Sequence, residues 1–479
     1  MTEAAPQSHA TSHDTEGWRG LLRGGNGARA LIIAGGVAIH AVSIYVVATI
    51  MPSIVADVGG LPFFAWTATL YVAGSLCGAS AVPLLLSRSS PRIVYRVAFG
   101  VFLTGSLVCS LAPSMGVLLA GRLSQGLGGG MLPALAYATI RRIFPPALHA
   151  RAITLIGSVW GVAALVGPSI GGVFAEMGAW RAAFWVDVTI GLAFIALSER
   201  TLPRHASGTG AARPFPGLRL ALLVLAAICV SAGGATGRLA PALLGLAAAI
   251  ALIAAMLRVD AASAPRMLPG GAFDPRRGLG AISATMGLLI LSSSPCTFIP
   301  YILSAGHGVA PMVGGYVNAA YALSWTVVSF LTASATRAGA RATIRFGPPL
   351  MVAGIALLAW AVPAGMVAMA AAGQVLMGAG IGMGWAHLAA MLMAAAPDAE
   401  RDVTGPFIST TQTLAAVFGS ALAGMVANLA GMGTAASPSD VDVMGGWLFG
   451  ASTAIPLAAC LLAWRTLALT HETTPISSA

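Results

Sequence analysis

Three ionisable residues stand in stretches of sequence where water would be scarce. Asp187 lies inside an apolar run, six residues past Arg181. At the rise of an α-helix that places it about 9 Å in from the end of the run. Arg122 lies inside a second apolar run, about 10 Å in from the same side by the same measure. An ionised group in hydrocarbon is costly, so each requires a partner or a purpose. A carboxyl beside a guanidinium can take up and release a proton, and each transfer changes the attraction between them. Asp187 and Arg122 are therefore expected to pair, with protonation of Asp187 releasing Arg122 and altering helix packing. A fixed structural pair is the plainer alternative. His40 lies about ten residues into the first apolar run, near mid-bilayer depth, one turn before Ser43 and on the same helix face. Imidazole titrates near physiological pH, which makes His40 a second proton carrier. A packing histidine held by hydrogen bonds is its alternative.

Little else in the chain suggests chemistry. No nucleophile–base pair, metal-ligand cluster or phosphate-cradling loop is evident in a polar segment, so no enzyme activity, cofactor or metal is expected. The glycine-rich run at 126–130 imitates a nucleotide loop, but no strand precedes it. The five cysteines all fall in apolar runs and read as small packing residues. The net charge of +10 comes from arginines scattered singly and in pairs. Nucleic acid binding needs a continuous positive surface, and none is present.

Apolar helices must position these groups. Of the 479 residues, 57% are hydrophobic and 8% charged, against about 25% charged in a soluble domain. Such a chain requires a lipid solvent. Windows of about 20 apolar residues, enough to cross about 30 Å of hydrocarbon, number fourteen: 30–52, 63–86, 94–112, 115–140, 152–175, 182–198, 218–236, 239–257, 279–303, 311–335, 346–362, 365–395, 405–430 and 445–464. With the N-terminus inside, 22 of the 25 arginines fall in cytoplasmic segments or at the cytoplasmic ends of spans, as positive charge prefers. Both termini are thus expected in the cytoplasm.

The chain repeats itself. Ser87, Arg88, Arg92 and Arg96 recur as Thr336, Arg337, Arg341 and Arg345, 249 residues later. Gly121, Gly126, Gly128 and Gly130 of span 4 recur as Gly373, Gly378, Gly380 and Gly382 of span 12, 252 later. Gly167 and Gly172 recur as Gly419 and Gly424 at the same displacement. The expected fold is all-α and membrane-embedded: a six-helix bundle over 29–200, a linker with two inserted spans over 201–277, and a second six-helix bundle over 278–468. Polar tails over 1–28, expected to be disordered, and 469–479 flank them. The repeated arginines orient the chain. A gating role is the sharper reading, with Arg88, Arg92, Arg337 and Arg341 donating to helix C-terminal carbonyls and to Ser87 or Thr336.

Arg122, Gln125, Gly126, Gly128 and Gly130 resemble the span-4 motif of the major facilitator superfamily, in its fourteen-span drug:proton antiporter branch. Gly167, Pro168, Gly171 and Gly172 resemble its span-5 antiporter motif. Pro52 with Asp57, and Trp180 with Arg181, resemble its first and sixth spans. The resemblance covers about 30–465. It implies two six-helix bundles, alternating access and proton-coupled efflux of hydrophobic or amphipathic molecules. A metabolite exporter or importer of the same fold, or a scaffold or sensor without transport, are the rival readings. Ser87, Pro83 and Ser90 replace the family's loop Asp and glycines, Ser43 its span-1 Asp, and Asp187 its Asn. A weaker inward gate and a different proton site are the expected consequences. Tyr45, Gln125, Asn318, Trp325, Trp385, His387 and Gln412 are the candidate cavity residues, suited to an amphipathic ligand. The setting is a bacterial inner membrane. The partners are lipid, protons and a small substrate, and the protein is expected to be a monomer, with an accessory export partner as the alternative.

Overall fold

The computed structural model describes residues 17–204, 215–396, 401–435 and 437–472. Helices account for nearly all of them. A short turn, α1 (Trp18–Leu22), precedes α2 (Gly24–Val58), α3 (Trp66–Arg88), α4 (Pro91–Ser110), α5 (Met115–Ile143), α6 (His149–Glu176) and α7 (Trp180–Thr201). Then come α8 (Gly217–Ala235) and α9 (Leu239–Ala261), followed by α10 (Gly278–Ser292) and α11 (Ile299–His307). The chain ends in α12 (Pro311–Thr332), α13 (Arg337–Ala361), α14 (Val367–Ala395), α15 (Arg401–Leu429), α16 (Pro438–Ser452) and α17 (Ala454–Glu472).

Twelve segments among the described residues are long and apolar enough to cross a membrane. The 29-residue α5 and the 22-residue α12 are not among the twelve, being diluted by glycine and polar residues. The polar tail expected through residue 28 lies outside the described residues as far as 16, but from Trp18 the chain is already helical. Leu21 explains this, being fully buried among the apolar residues of the first bundle. The ninth apolar window is not one helix. Pro295 and Pro300 cannot donate backbone hydrogen bonds, and a 3-10 turn over Ser294–Phe298 separates α10 from α11. The last span is longer than its window and broken near Thr453, and its start at Pro438 is fixed by a capping box between Ser437 and Asp440.

The packing pairs recur at the spacing of the sequence repeat. In the first half α3 and α4 pack on α5, α2 packs on α6 and α7, and α4 packs on α7. In the second half α12 and α13 pack on α14, α10 packs on α15 and α17, and α13 packs on α16 and α17. The two halves meet through α3 with α15 and α6 with α12, pairs that exchange when the halves are exchanged. The α8–α9 hairpin packs against α15 and α3. Its base carries a buried ion pair, Arg219 to Asp260 at 2.6 Å. Asp260 also accepts from the backbone of Met267 and Leu268.

Lipid offers no hydrophobic drive between helices, so close backbone approach supplies the attraction. A methyl group added at Gly126 would stand 2.1 Å from the Tyr71 carbonyl oxygen, and one at Gly378 would stand 2.0 Å from that of Tyr321. Gly130 lies against Ser75 and Gly382 against Trp325 in the same way. The two glycine-rich helices therefore occupy matching positions, each admitting its neighbour where a side chain would not fit.

Candidate functional site: a buried charge network beside an inter-half cavity

Four helices of the first half converge on Arg122. Its side chain is fully buried on α5, 2% exposed. Nη1 donates to Gln125 Oε1 at 2.8 Å and to Ser43 Oγ at 3.3 Å. Nε reaches the Thr67 carbonyl at 3.4 Å, and the guanidinium lies 3.9 Å over the Tyr71 ring. Gln125, one turn on, donates through Nε2 to Ser106 Oγ at 2.7 Å and to Asp187 Oδ2 at 3.4 Å. Ser43 faces both Arg122 and the Asp187 carboxylate.

The direct Arg122–Asp187 pair expected from equal depth is therefore not formed. Helix spacing leaves room for an amide between them, and Gln125 carries the connection, accepting from the cation and donating to the acid. His40 packs on Tyr71. Its Nδ1 meets the Tyr71 hydroxyl at 2.8 Å, its carbonyl accepts from the same hydroxyl at 3.0 Å, and its ring stacks on Tyr71. Through Tyr71 it supports the face on which the guanidinium rests.

A cavity of about 190 Å³ opens beside this network, between the halves. The first half lines it with Tyr45, Thr67, Tyr71 and Arg122 among apolar residues, the second with Ser293, Cys296, Thr297, Asn318 and Tyr321. The candidate residues Tyr45 and Asn318 both lie in this wall. Gln125 is buried behind Arg122. Trp325 and Trp385 are not among the lining residues; they pack edge to face, 5.6 Å apart. His387 meets the Thr332 carbonyl at 3.1 Å, where it satisfies the end of α12. Gln412 is half-buried on α15 and likewise is not in the wall.

Tyr71, Tyr321, Thr67 and Ser293 were not singled out in the sequence. The repeat held the signal for the first two, since Tyr71 and Tyr321 are 250 residues apart. The same displacement logic places Gln374 opposite Arg122. Gln374 donates to the Asn318 carbonyl and to Asn318 Oδ1, both at 3.2 Å, as Arg122 reaches the Thr67 carbonyl. The halves share a scaffold and differ in charge, with Arg in one and Gln in the other.

The contacts between halves gather at the end of the helices that carries Asp57 and Arg181. Gly172 lies against Met312, Gly315 against Thr49 and Pro168, and Gly424 against Ala65. Asn428 donates to the Pro62 carbonyl at 2.8 Å, and Phe64 stacks on Phe298. Gly167 and Gly171 admit α2 on the other side of α6. The span-5 motif is thus a double seam, one side within its half and one across. Asp57 joins Trp180 and Arg181, at 3.1 and 2.5 Å, tying α2 to α7 at this end.

At the opposite end the repeated arginines act within each half. Arg92 donates twice to the Leu202 carbonyl, at 3.0 and 2.7 Å, and Arg341 donates to that of Leu467 at 3.0 Å. Arg96 meets Glu199 at 2.6 Å. The expected carbonyl contacts are present, but they join α4 to α7 and α13 to α17, not one half to the other. Ser87 donates to its own helix at Leu84, and Thr336 accepts from Gly339 as a cap, so neither receives an arginine in the contacts described. Arg88 is exposed.

A profile of the Major Facilitator Superfamily matches residues 33–292. A "Probable multidrug-efflux transporter" of Mycobacterium tuberculosis is 34% identical over 439 residues, covering 89% of this chain and 93% of the relative. The chain belongs to the major facilitator superfamily. A shorter match, 31% identical, covers 33% of the chain and 30% of "Multidrug resistance protein 3" of Bacillus subtilis. Among solved structures, a POT peptide transporter in complex with sulfate aligns with a TM-score of 0.66, 13% identity and coverage of 92% of this chain and 95% of that one. A nucleoside transporter aligns with a TM-score of 0.60, 11% identity and coverage of 91% and 99%. At those identities they share the fold alone. As a superfamily member the protein is a multi-pass membrane transporter, not an enzyme.

Proposed function

We propose that this transporter exports small apolar or amphipathic molecules in exchange for protons, as a fourteen-span protein of a bacterial inner membrane with both termini in the cytoplasm. The observation that carries the exchange reading is the buried chain from Asp187 through Gln125 to Arg122, which lines the wall of a cavity between the halves. Asp187 is the acid in that chain, and Arg122, Tyr71, Cys109 and His40 are the ionisable groups around it. With Asp187 ionised, its field and Gln125 hold the guanidinium against the first half. Protonation removes that pull and frees Arg122 to move toward the cavity it lines, where it displaces substrate. Proton and substrate thereby exclude one another, as exchange requires.

The names of the relatives support efflux of drugs. Fourteen spans are supported by α5 and α12, which pack among the twelve apolar segments as their counterparts in the other half, α14 and α3, do. The division into bundles at 29–200 and 278–468, with 201–277 inserted, follows the same repeat. The arginine-bearing end is then cytoplasmic, and the seam from Gly172 to Asn428 closes the outer end. The test is uptake of fluorescent drugs by proteoliposomes under an imposed pH gradient. Exchange predicts accumulation that a protonophore abolishes and that Asp187→Asn lacks. Uptake equal with and without the gradient would leave a facilitator.

A further inference from the structure

Among the lining residues, Asn318 and Tyr321 of the second half and Tyr45 of the first offer uncharged polar groups to a ligand. The Tyr321 side chain reaches the cavity wall, where its buried hydroxyl has only Ser293 beside it, a lining residue whose own hydroxyl donates to the Ile290 carbonyl. Beside it Asn318 spends its Oδ1 on Gln374, while Gln374 keeps its own Oε1 unpartnered although the residue is fully buried. Buried polar atoms without partners are rare and call for a ligand or water. Across the cavity Arg122 is the one charged side chain among the described lining residues. Its Nη1 and Nε are already engaged by Gln125, Ser43 and Thr67.

Charge decides what this cavity accepts. A cation would face the guanidinium with no acid in the wall, because Asp187 is screened by Gln125. An anion would draw Arg122 off Gln125 and so favour the proton on Asp187. Binding and protonation would then reinforce each other instead of excluding each other. Neither suits exchange. Resting on the exchange reading above, we propose that the exported class is uncharged: a one- or two-ring molecule whose amide, carbonyl or hydroxyl pole is bound by Tyr321 and its neighbours in the second half. Its apolar body lies against Phe64, Met51 and Tyr45, and the volume of about 190 Å³ sets the ring count.

The probes are three naphthalenes carrying a carboxamide, a carboxylate or a trimethylammonium group, titrated against the purified full-length protein at pH 8. The carboxamide should bind at least about tenfold more tightly than either charged probe, since a charge entering an apolar cavity loses its hydration. Tyr321→Phe should weaken the carboxamide about tenfold, the loss of one hydrogen bond, and leave 2-methylnaphthalene unchanged. Either charged probe binding as tightly as the carboxamide, or none of the three binding, overturns the assignment. An unaltered carboxamide affinity in Tyr321→Phe overturns the placement of the pole. The exchange reading fails separately: a carboxamide that binds as described but is not moved by a pH gradient in proteoliposomes sinks exchange and leaves the binding class standing.

Discussion

At the scale of single residues, Gln125 is the part that the sequence did not foretell in its role. Depth along two helices placed Arg122 and Asp187 level with each other, and level groups were expected to touch. Depth fixes one coordinate; the lateral gap between α5 and α7 is set by packing, and an amide fills it. Removing that amide with Gln125→Leu should strand polar groups on both sides. Stability should fall by about 1–3 kcal/mol, read as a lower melting temperature in detergent, and an unchanged melting temperature would deny Gln125 its place. Asp187 and His40 separate by pH. The proposed exchange requires substrate to bind with Asp187 ionised, so wild-type affinity should weaken as pH falls, while Asp187→Asn should be indifferent to pH. His40→Ala, which removes only the partner of Tyr71, should keep the wild-type slope. A flat profile in His40→Ala would transfer the proton to the histidine.

At the scale of elements, the glycine repeat was legible because close approach between helices leaves no alternative to glycine. Gly126 and Gly378 sit against carbonyls of α3 and α12, whereas Gly100 on α4 has open space around it. Gly126→Val and Gly378→Val should each destabilise the bundle by about 1–3 kcal/mol, and Gly100→Ala should not, as thermal unfolding in detergent will show. Equal tolerance at all three would mean that the helices do not rely on these contacts. Less legible were the breaks. Hydropathy sums over a window and does not see the 3-10 turn at Ser294–Phe298. Nor did it reveal the Arg219–Asp260 pair, because each residue sits at a helix end where charge looks ordinary. Asp260→Ala leaves Arg219 buried without its acid, and should loosen the segment over 262–277 to proteolysis while the two bundles stay intact. A digestion pattern equal to wild type would show the pair to be dispensable.

At the scale of the molecule, the repeat carried further than any motif. It forecast paired halves, and the packing pairs recur accordingly. It also held Tyr71 with Tyr321, and Arg122 with Gln374, which became visible only when contacts showed which repeated positions face the cavity. The tryptophans misled for the complementary reason: amphipathic residues on the right span still choose between a cavity and a neighbour, and Trp325 and Trp385 chose each other. Topology is open to direct test at α5, one of the two spans with weak hydropathy. In a cysteine-free protein, cysteines at Gly116, in the first turn of α5, and at Ala147, just past its end, should react with impermeant thiol reagents from opposite faces of the membrane; reaction from one face would remove a span.

The exchange itself is most directly measured as protons released when substrate binds. In weakly buffered detergent solution, addition of a saturating bound substrate to the wild-type protein should release up to about one proton per molecule, the fraction rising as the pH is lowered toward the titration of the site, and Asp187→Asn should release none. Release undiminished in Asp187→Asn, or no release from wild type at any pH where substrate binds, would contradict the account.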